Sequence, residues 1–224
     1  MLPRVLEPEV MDSEAEARDY DAMDHSEVNR LFAADFLAHV DRHGLTNPCV
    51  LDVGTGTAQI PVTLCRQDPD VTVVAVDLAR HMIELARRNV AAAGLAERIR
   101  VQLCDAKGLP FRDGSFAAIM SNSIVHHIPD PRLVIAEMVR VTQPGGAIFV
   151  RDLLRPETDE DVKRLVQLYA GGANAHQRQM FDDSLRAALT LAEVRALVTP
   201  LGFDAASVQQ TSDRHWTWAA RKVR

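Results

Sequence analysis

The chain has little cysteine: Cys49, Cys65 and Cys104 are the only three, and no two of them form a Cys-x-x-Cys pair. That scarcity excludes a disulfide-stapled fold and gives no thiolate metal site, so the three are expected as buried free thiols of a reducing compartment. Basic excess is also missing. Twenty-five Lys and Arg stand against 31 Asp and Glu, a formal charge of -6, and Arg87, Arg88, Arg98 and Arg100 are scattered. A protein whose affinity comes from phosphate contacts needs the opposite balance, so a nucleic-acid partner is not expected. No apolar run is long enough to span a bilayer, and the first residues, with Glu7, Glu9, Asp12 and Glu14, do not read as a signal peptide. A cytoplasmic address without a membrane partner is the expectation. Repeats and low-complexity tracts are absent, and 47% hydrophobic with 25% charged residues is ordinary soluble-globular usage. A length of 224 residues suits one α/β domain with a sizeable core.

What is present begins at Cys49-Val50-Leu51-Asp52-Val53-Gly54-Thr55-Gly56-Thr57-Ala58, an apolar run ending in two glycines with a helical pattern behind it. Such a run reads as a buried parallel strand, and the glycines let the backbone turn sharply and approach a ligand. A second β-branched run, Val71 to Val76, stops at Asp77. An acid at that strand tip, roughly twenty residues past the glycine turn, is placed to accept from ribose hydroxyls. Two details argue against a dinucleotide. Gln59 stands where the fingerprint needs its third glycine, and the Asp52 carboxylate would repel a pyrophosphate while suiting a ligand that carries an ammonium group. The alternative for Asp52 is a strand-end acid that caps the turn.

These motifs resemble the class I S-adenosylmethionine-dependent methyltransferases of the small-molecule type. Leu51 to Ala58 is similar to the family's first motif and Val74-Ala75-Val76-Asp77 to its ribose-binding acid. The likeness continues through Val101 to Ala106, Ser121 to Asp130, and Thr142-Gln143-Pro144-Gly145-Gly146-Ala147-Ile148. It covers about residues 48 to 152. The resemblance implies a Rossmann-like, doubly wound, seven-stranded and mostly parallel sheet with a C-terminal antiparallel hairpin. It implies S-adenosylmethionine as cofactor, with S-adenosylhomocysteine as product, and a small-molecule methyl acceptor. The residues it assigns to the cofactor are Tyr20, Asp52, Gly54, Thr55, Gly56, Asp77, Leu78, Met82, Asp105, Ala106, Ser121 and Asn122. Two other readings stay open: a non-catalytic cofactor-binding or regulatory module, and a nicotinamide-dependent oxidoreductase.

Along the chain, a helical region over about 12 to 43 precedes strand candidates at 48–53, 71–77, 99–104, 116–121 and 146–152. Helices between them start near Ala58, Arg80 and Pro131. This alternation implies right-handed crossovers and a parallel sheet covered on both faces. Phe203 to Gln210 and Arg214 to Arg221 read as two strands whose connection is too short for a crossover, hence an antiparallel hairpin. The expected division is a helical lid over 1–46, a cofactor-binding core over 47–152, an insertion covering the acceptor over 153–190, and a last helix and hairpin over 191–224. Both the amino-terminal helix and the insertion can fold over the carboxyl edge of the sheet, with Gly171-Gly172 as a flexible break.

The chemistry expected is an in-line displacement at an activated methyl group, for which the protein chiefly aligns reactants and excludes water. A thiolate acceptor needs no base, whereas a hydroxyl or ammonium acceptor must lose a proton. His126 and His127 follow the fourth strand, and His126 is the leading base candidate. Arg151 and Asp152 end the fifth strand, and strand alternation lets only one face the acceptor, with Asp152 preferred. Asp21, Asp24 and His25 could be weighed as metal ligands but are better explained as a solvated helix start with Ser26 as N-cap, and His39 and His43 as a solvated helix end. No metal is expected. Phe181, Leu185, Leu189 and Leu191 read as core, and Trp216 and Trp218 share one face of the last strand. The acceptor's identity and the oligomeric state are not encoded in any motif.

Overall fold

The computed structural model describes residues 2–8 and 13–223. Its described residues divide into two compact units. The larger comprises 13–122, 133–150 and 219–223, and the smaller comprises 2–8, 123–132 and 151–218.

The larger unit opens with two helices in place of the single region expected, α1 (Glu14–Asp21) and α2 (Ser26–Arg42). A capping box starts α1: the Ser13 side chain accepts from Glu16 N, and the Glu16 carboxylate accepts from Ser13 N. Ser26 is not the N-cap of α2. Asp24 Oδ1 accepts from Ser26 N at 3.0 Å, and His25 occupies the cap position without a side-chain bond. Beyond α2 come β1 (Cys49–Val53), α3 (Gln59–Gln67), β2 (Thr72–Asp77), α4 (Arg80–Ala92), β3 (Ile99–Leu103), β4 (Phe116–Asn122) and α5 (Arg132–Val141). β1 pairs in parallel with both β2 and β4, with Leu51 opposite Val74 and Ile119, and β2 pairs in parallel with β3. β1, β2 and β4, in the interior of the sheet, are nearly continuous in β-branched and apolar residues, as a covered parallel sheet requires, whereas β3 at the edge carries Arg100 and Gln102 and leaves Leu103 exposed. Phe32 and Phe36 of α2 meet the Phe149 ring edge-on at centroid distances of 5.4 and 6.1 Å, which fixes α2 on the sheet.

The whole sheet has seven strands in the order β3-β2-β1-β4-β5-β7-β6, completed by β5 (Thr142–Leu153), β6 (Val208–Gln210) and β7 (His215–Arg221). It is an α/β, Rossmann-like sheet, parallel except for its C-terminal strands, and β6 and β7 pair antiparallel with Val208 opposite Trp218. β6 is shorter than the expected Phe203–Gln210 strand. Gly202 at φ 88° ends the preceding helical turn, and the Asp204 side chain accepts from Ala206 N, holding Ala205–Ser207 in a 3-10 turn.

In the smaller unit the segment between β5 and β6 forms α6 (Asp159–Ala170), α7 (Ala175–Ala187) and α8 (Leu191–Val198), and Gly171-Gly172 lies in the break between α6 and α7. Each helix has its own start: Thr158 caps α6, and capping boxes of Asn174 with Gln177 and Thr190 with Glu193 start α7 and α8. Leu153, Val162, Leu165, Leu185 and Ala188 form the core, with Leu2 and Phe181 packed against it. Trp216 and Trp218 are fully buried on one face of β7, and the Phe203 ring meets Trp218 edge-on at 5.1 Å. The cysteines depart from expectation at Cys49, which is exposed at the start of β1; Cys65 is buried and Cys104 half-buried.

Candidate functional site

In the larger unit the turn after β1 is tied to the neighbouring strand, because Gly54 N and Thr55 N both donate to Val76 O at 2.9 Å. Gly54 and Gly56 take φ of 76° and 54°, angles at which a side chain is strained. Asp77, at the tip of β2, is held by two amides: Gly56 N donates to Oδ2 at 2.8 Å and Ala79 N to Oδ1 at 2.9 Å. The glycine turn and the β2 acid are therefore one constellation. Asp52 lies beneath it, 2% exposed, and its Oδ2 has no hydrogen-bond partner. Burial, with the Asp77 charge adding to it, pushes the Asp52 carboxyl up to about 7. A buried carboxylate oxygen without a donor is costly, and an ammonium group brought to it would supply one. These features fit a ligand with ribose hydroxyls at Asp77 and a cation at Asp52.

Tyr20 covers the turn. A Cβ placed on Gly56 would lie 3.6 Å from its ring carbon Cε1. Its helix is clamped beside the turn, because the Asp21 carboxylate accepts from Gln59 Nε2 at 3.1 Å and Asn89 Nδ2 at 2.8 Å. Those bonds occupy Asp21, and they replace the metal role weighed for it. Met82 is buried in a cluster with Ala17, Ala79 and Tyr20, while Leu78 stands exposed. Asp105 accepts from Lys107 N at 2.9 Å and pairs with Lys107 Nζ at 3.2 Å, next to half-buried Ala106. Ser121 is fully buried with its hydroxyl donated to Val53 O at 2.8 Å, so its side chain joins β4 to β1, and Asn122 ends β4 half-buried. His39 is 5% exposed with Nε2 3.1 Å from Ala220 O, which makes it a buried histidine and not the solvated helix end expected.

The smaller unit holds the base candidates. Asp152 is completely buried: its Oδ2 accepts from Val125 N at 2.6 Å and His126 N at 3.2 Å, and its Oδ1 accepts from Leu153 N at 2.6 Å and lies 2.5 Å from His126 Nδ1. Burial works against ionising either member, and their mutual attraction outweighs it, holding Asp152 below its ordinary value and His126 above. Asp152 thus orients His126 and has no face toward solvent. Arg151, its neighbour on β5, donates to Thr217 Oγ1 at 3.1 Å.

Two residues that the sequence reading did not single out complete this cluster. Glu7 Oε1 lies 3.4 Å from His126 Nε2 and 3.0 Å from His127 Nδ1. Burial pushes the Glu7 carboxyl upward, and the two histidines, His127 foremost, more than offset this and hold it below its usual range. Arg4 holds the segment in place, donating to the carbonyls of His126, Ile128, Pro129 and Ala187 at 2.7 to 3.2 Å. The acidic run containing Glu7 was visible in the sequence, but nothing local links it to residues more than a hundred positions away.

Residues 50–146 match the family model of the methyltransferase domain. Over 117 residues the chain is 37% identical to methyltransferase GfsG of Streptomyces halstedii, covering 52% of this chain and 42% of that protein. It is 36% identical over 107 residues to the ubiquinone/menaquinone biosynthesis C-methyltransferase UbiE of Desulfotalea psychrophila, covering 48% of this chain and 42% of the relative. The chain thus spans less than half the length of either relative. Among solved structures, the plantazolicin methyltransferase BpumL in complex with S-adenosylhomocysteine superposes with a TM-score of 0.71 at 16% identity, over 93% of this chain and 89% of that one.

Proposed function

The chain carries a class I S-adenosylmethionine-dependent methyltransferase domain, and on that premise we propose that it transfers the methyl group to a hydroxyl of a small molecule, with His126 taking the proton. The observation that favours an acceptor needing a base is the buried contact of 2.5 Å between His126 Nδ1 and Asp152 Oδ1. A thiolate needs no such device. A hydroxyl is a weak nucleophile until a base relieves it of its proton, and an imidazole whose orientation is fixed by a carboxylate is that base.

When bound, S-adenosylmethionine supplies an electrophilic methyl carbon on a sulfonium. The chain's own part starts at the larger unit, where Asp77 accepts from the ribose hydroxyls and ionised Asp52 receives the ammonium group. Asp152 keeps the Nδ1 side of His126 engaged, which leaves Nε2 as the nitrogen that accepts the acceptor's proton. Asp152 is a positioning residue, because every contact it makes is to the chain around it. Since His126 is only 3% exposed and its Nε2 side faces Glu7, access to that nitrogen requires the Glu7 carboxylate to move aside.

Methyl-labelled cofactor offered with a set of small phenols, alcohols, amines and thiols tests the reading. Label should appear as a methyl ether, and His126→Ala should lower turnover by roughly 100-fold or more while leaving cofactor affinity in place. Label on sulfur or nitrogen, or a His126→Ala variant that turns over like wild type, overturns it. Because the UbiE relative is named as a C-methyltransferase, label on carbon is the outcome that would replace a hydroxyl acceptor by a carbon one.

A further inference from the structure

We propose that Glu7, His126 and His127 form a binding site for a first-row divalent transition ion, of which zinc is the representative. Among the described residues this is the grouping of His, Cys, Asp and Glu whose ligand atoms converge, all three within 4.8 Å of one another. Glu7 Oε1 is shared, 3.4 Å from His126 Nε2 and 3.0 Å from His127 Nδ1. Metal bonds of about 2.0 to 2.2 Å in tetrahedral to octahedral arrangements set ligand-to-ligand edges of roughly 2.8 to 3.6 Å, and both separations fall inside that range.

Two further observations favour an ion over a closed hydrogen-bond set. His127 Nδ1 is buried 3.0 Å from Glu7 Oε1 but is not aligned with it as a hydrogen bond requires. His126 engages Asp152 through Nδ1, so Nε2 is the nitrogen presented to the cluster, and a ligating histidine usually has its second nitrogen fixed by a carboxylate in this way. Two imidazoles with one carboxylate select zinc, cobalt, nickel or iron over calcium and magnesium, which prefer all-oxygen shells. Three protein ligands leave at least one position open. An ion here would occupy the same Nε2 that serves as base, a consequence that rests on the preceding reading, whereas the binding itself does not.

Cobalt(II) absorption and zinc calorimetry on the full chain test the site without any methylation assay. Wild type should bind one equivalent of zinc and show the visible bands of low-coordinate cobalt. Glu7→Gln and His127→Ala should each weaken zinc at least tenfold, and Asp152→Asn ten- to a hundredfold through loss of its hold on His126. Circular dichroism establishes that each variant is folded, and Glu7→Gln, which keeps the side-chain shape, is the variant relied on if His127→Ala unfolds. Absence of a stoichiometric zinc site in wild type would mean that a proton alone joins these groups and would overturn the proposal. Zinc affinity unchanged in folded Glu7→Gln and His127→Ala would do the same, since the ion would then sit elsewhere.

Discussion

Asp52 gives the sharpest quantitative expectation. Its carboxyl stands at about 7, against an ordinary 3.8, because it is buried and shares the field of Asp77. If the cofactor's ammonium pairs with the ionised form, affinity depends on the fraction of free protein already ionised. With a midpoint near 7 that fraction rises from roughly 0.1 at pH 6 to roughly 0.9 at pH 8, so S-adenosylhomocysteine should bind about tenfold tighter at the higher pH, on the order of 1.4 kcal/mol. The sign for the unliganded fold is opposite. A raised carboxyl pKa means that the folded state holds the proton more tightly than the unfolded chain, so this contribution to stability is present below about pH 4 and is lost as pH rises toward 7. Isothermal titration of S-adenosylhomocysteine from pH 5.5 to 8.5, in two buffers of different ionisation enthalpy, reads both the affinity and the proton released on binding. Asp52→Asn should remove the pH dependence, weaken binding and raise the melting temperature of the free protein at pH 8. A flat affinity between pH 6 and 8 in wild type, with no proton release, would show that Asp52 does not meet a cation.

Two other substitutions probe the turn and the sheet. Gly56→Val should stay folded and lose cofactor binding, because the residue needs φ of 54° and a branched side chain would enter the space beneath Tyr20; a ligand-induced thermal shift equal to wild type would refute it. Gly146→Ala should instead destabilise the fold by roughly 1 to 3 kcal/mol in urea titration, because its Cβ would sit 2.7 Å from Ala117 O and 2.8 Å from Thr142 Cγ2; an unchanged midpoint would mean that β5 can shift at no cost.

Periodicity and turn chemistry made the larger unit legible in the sequence. β1 and β2 were found to within a residue because their apolar runs end in punctuation that allows little else, two glycines in one case and Asp77 in the other. Local signals were weaker where one helix follows another. The break between α1 and α2 depends on Asp24 accepting from Ser26 N, an interaction that competes with a plausible Ser26 cap and differs from it by only two positions. β6 was overextended for a similar reason: Phe203 and Val208 have strand character, and the Asp204 side chain turns the chain between them.

The cluster of Glu7, His126, His127 and Asp152 was only half legible, and the reason is physical. His126 could be singled out because it follows β4, and Asp152 because it lies near the carboxyl end of β5, where an open parallel sheet carries its ligand residues. Glu7 has no such frame. Its position depends on Arg4 reaching four carbonyl oxygens and on Val5 N donating to Arg186 O, contacts between a segment without helix or strand and residues far along the chain. None of these bonds has a sequence period, since any carbonyl can accept from a guanidinium. The same absence of regular structure has an energetic consequence. The segment is held by Arg4, by Val5 N on Arg186 O, by Glu7 on His126, His127 and Ser184, and by Leu2 against the core, all contacts outside any sheet or helix ladder, so its opening is expected to cost less than unfolding of the smaller unit. The residue that shields His126 is therefore carried on a part of the chain able to withdraw, and access to His126 Nε2 becomes a matter of Glu7's competing partners: a proton, an ion, or the two histidines themselves.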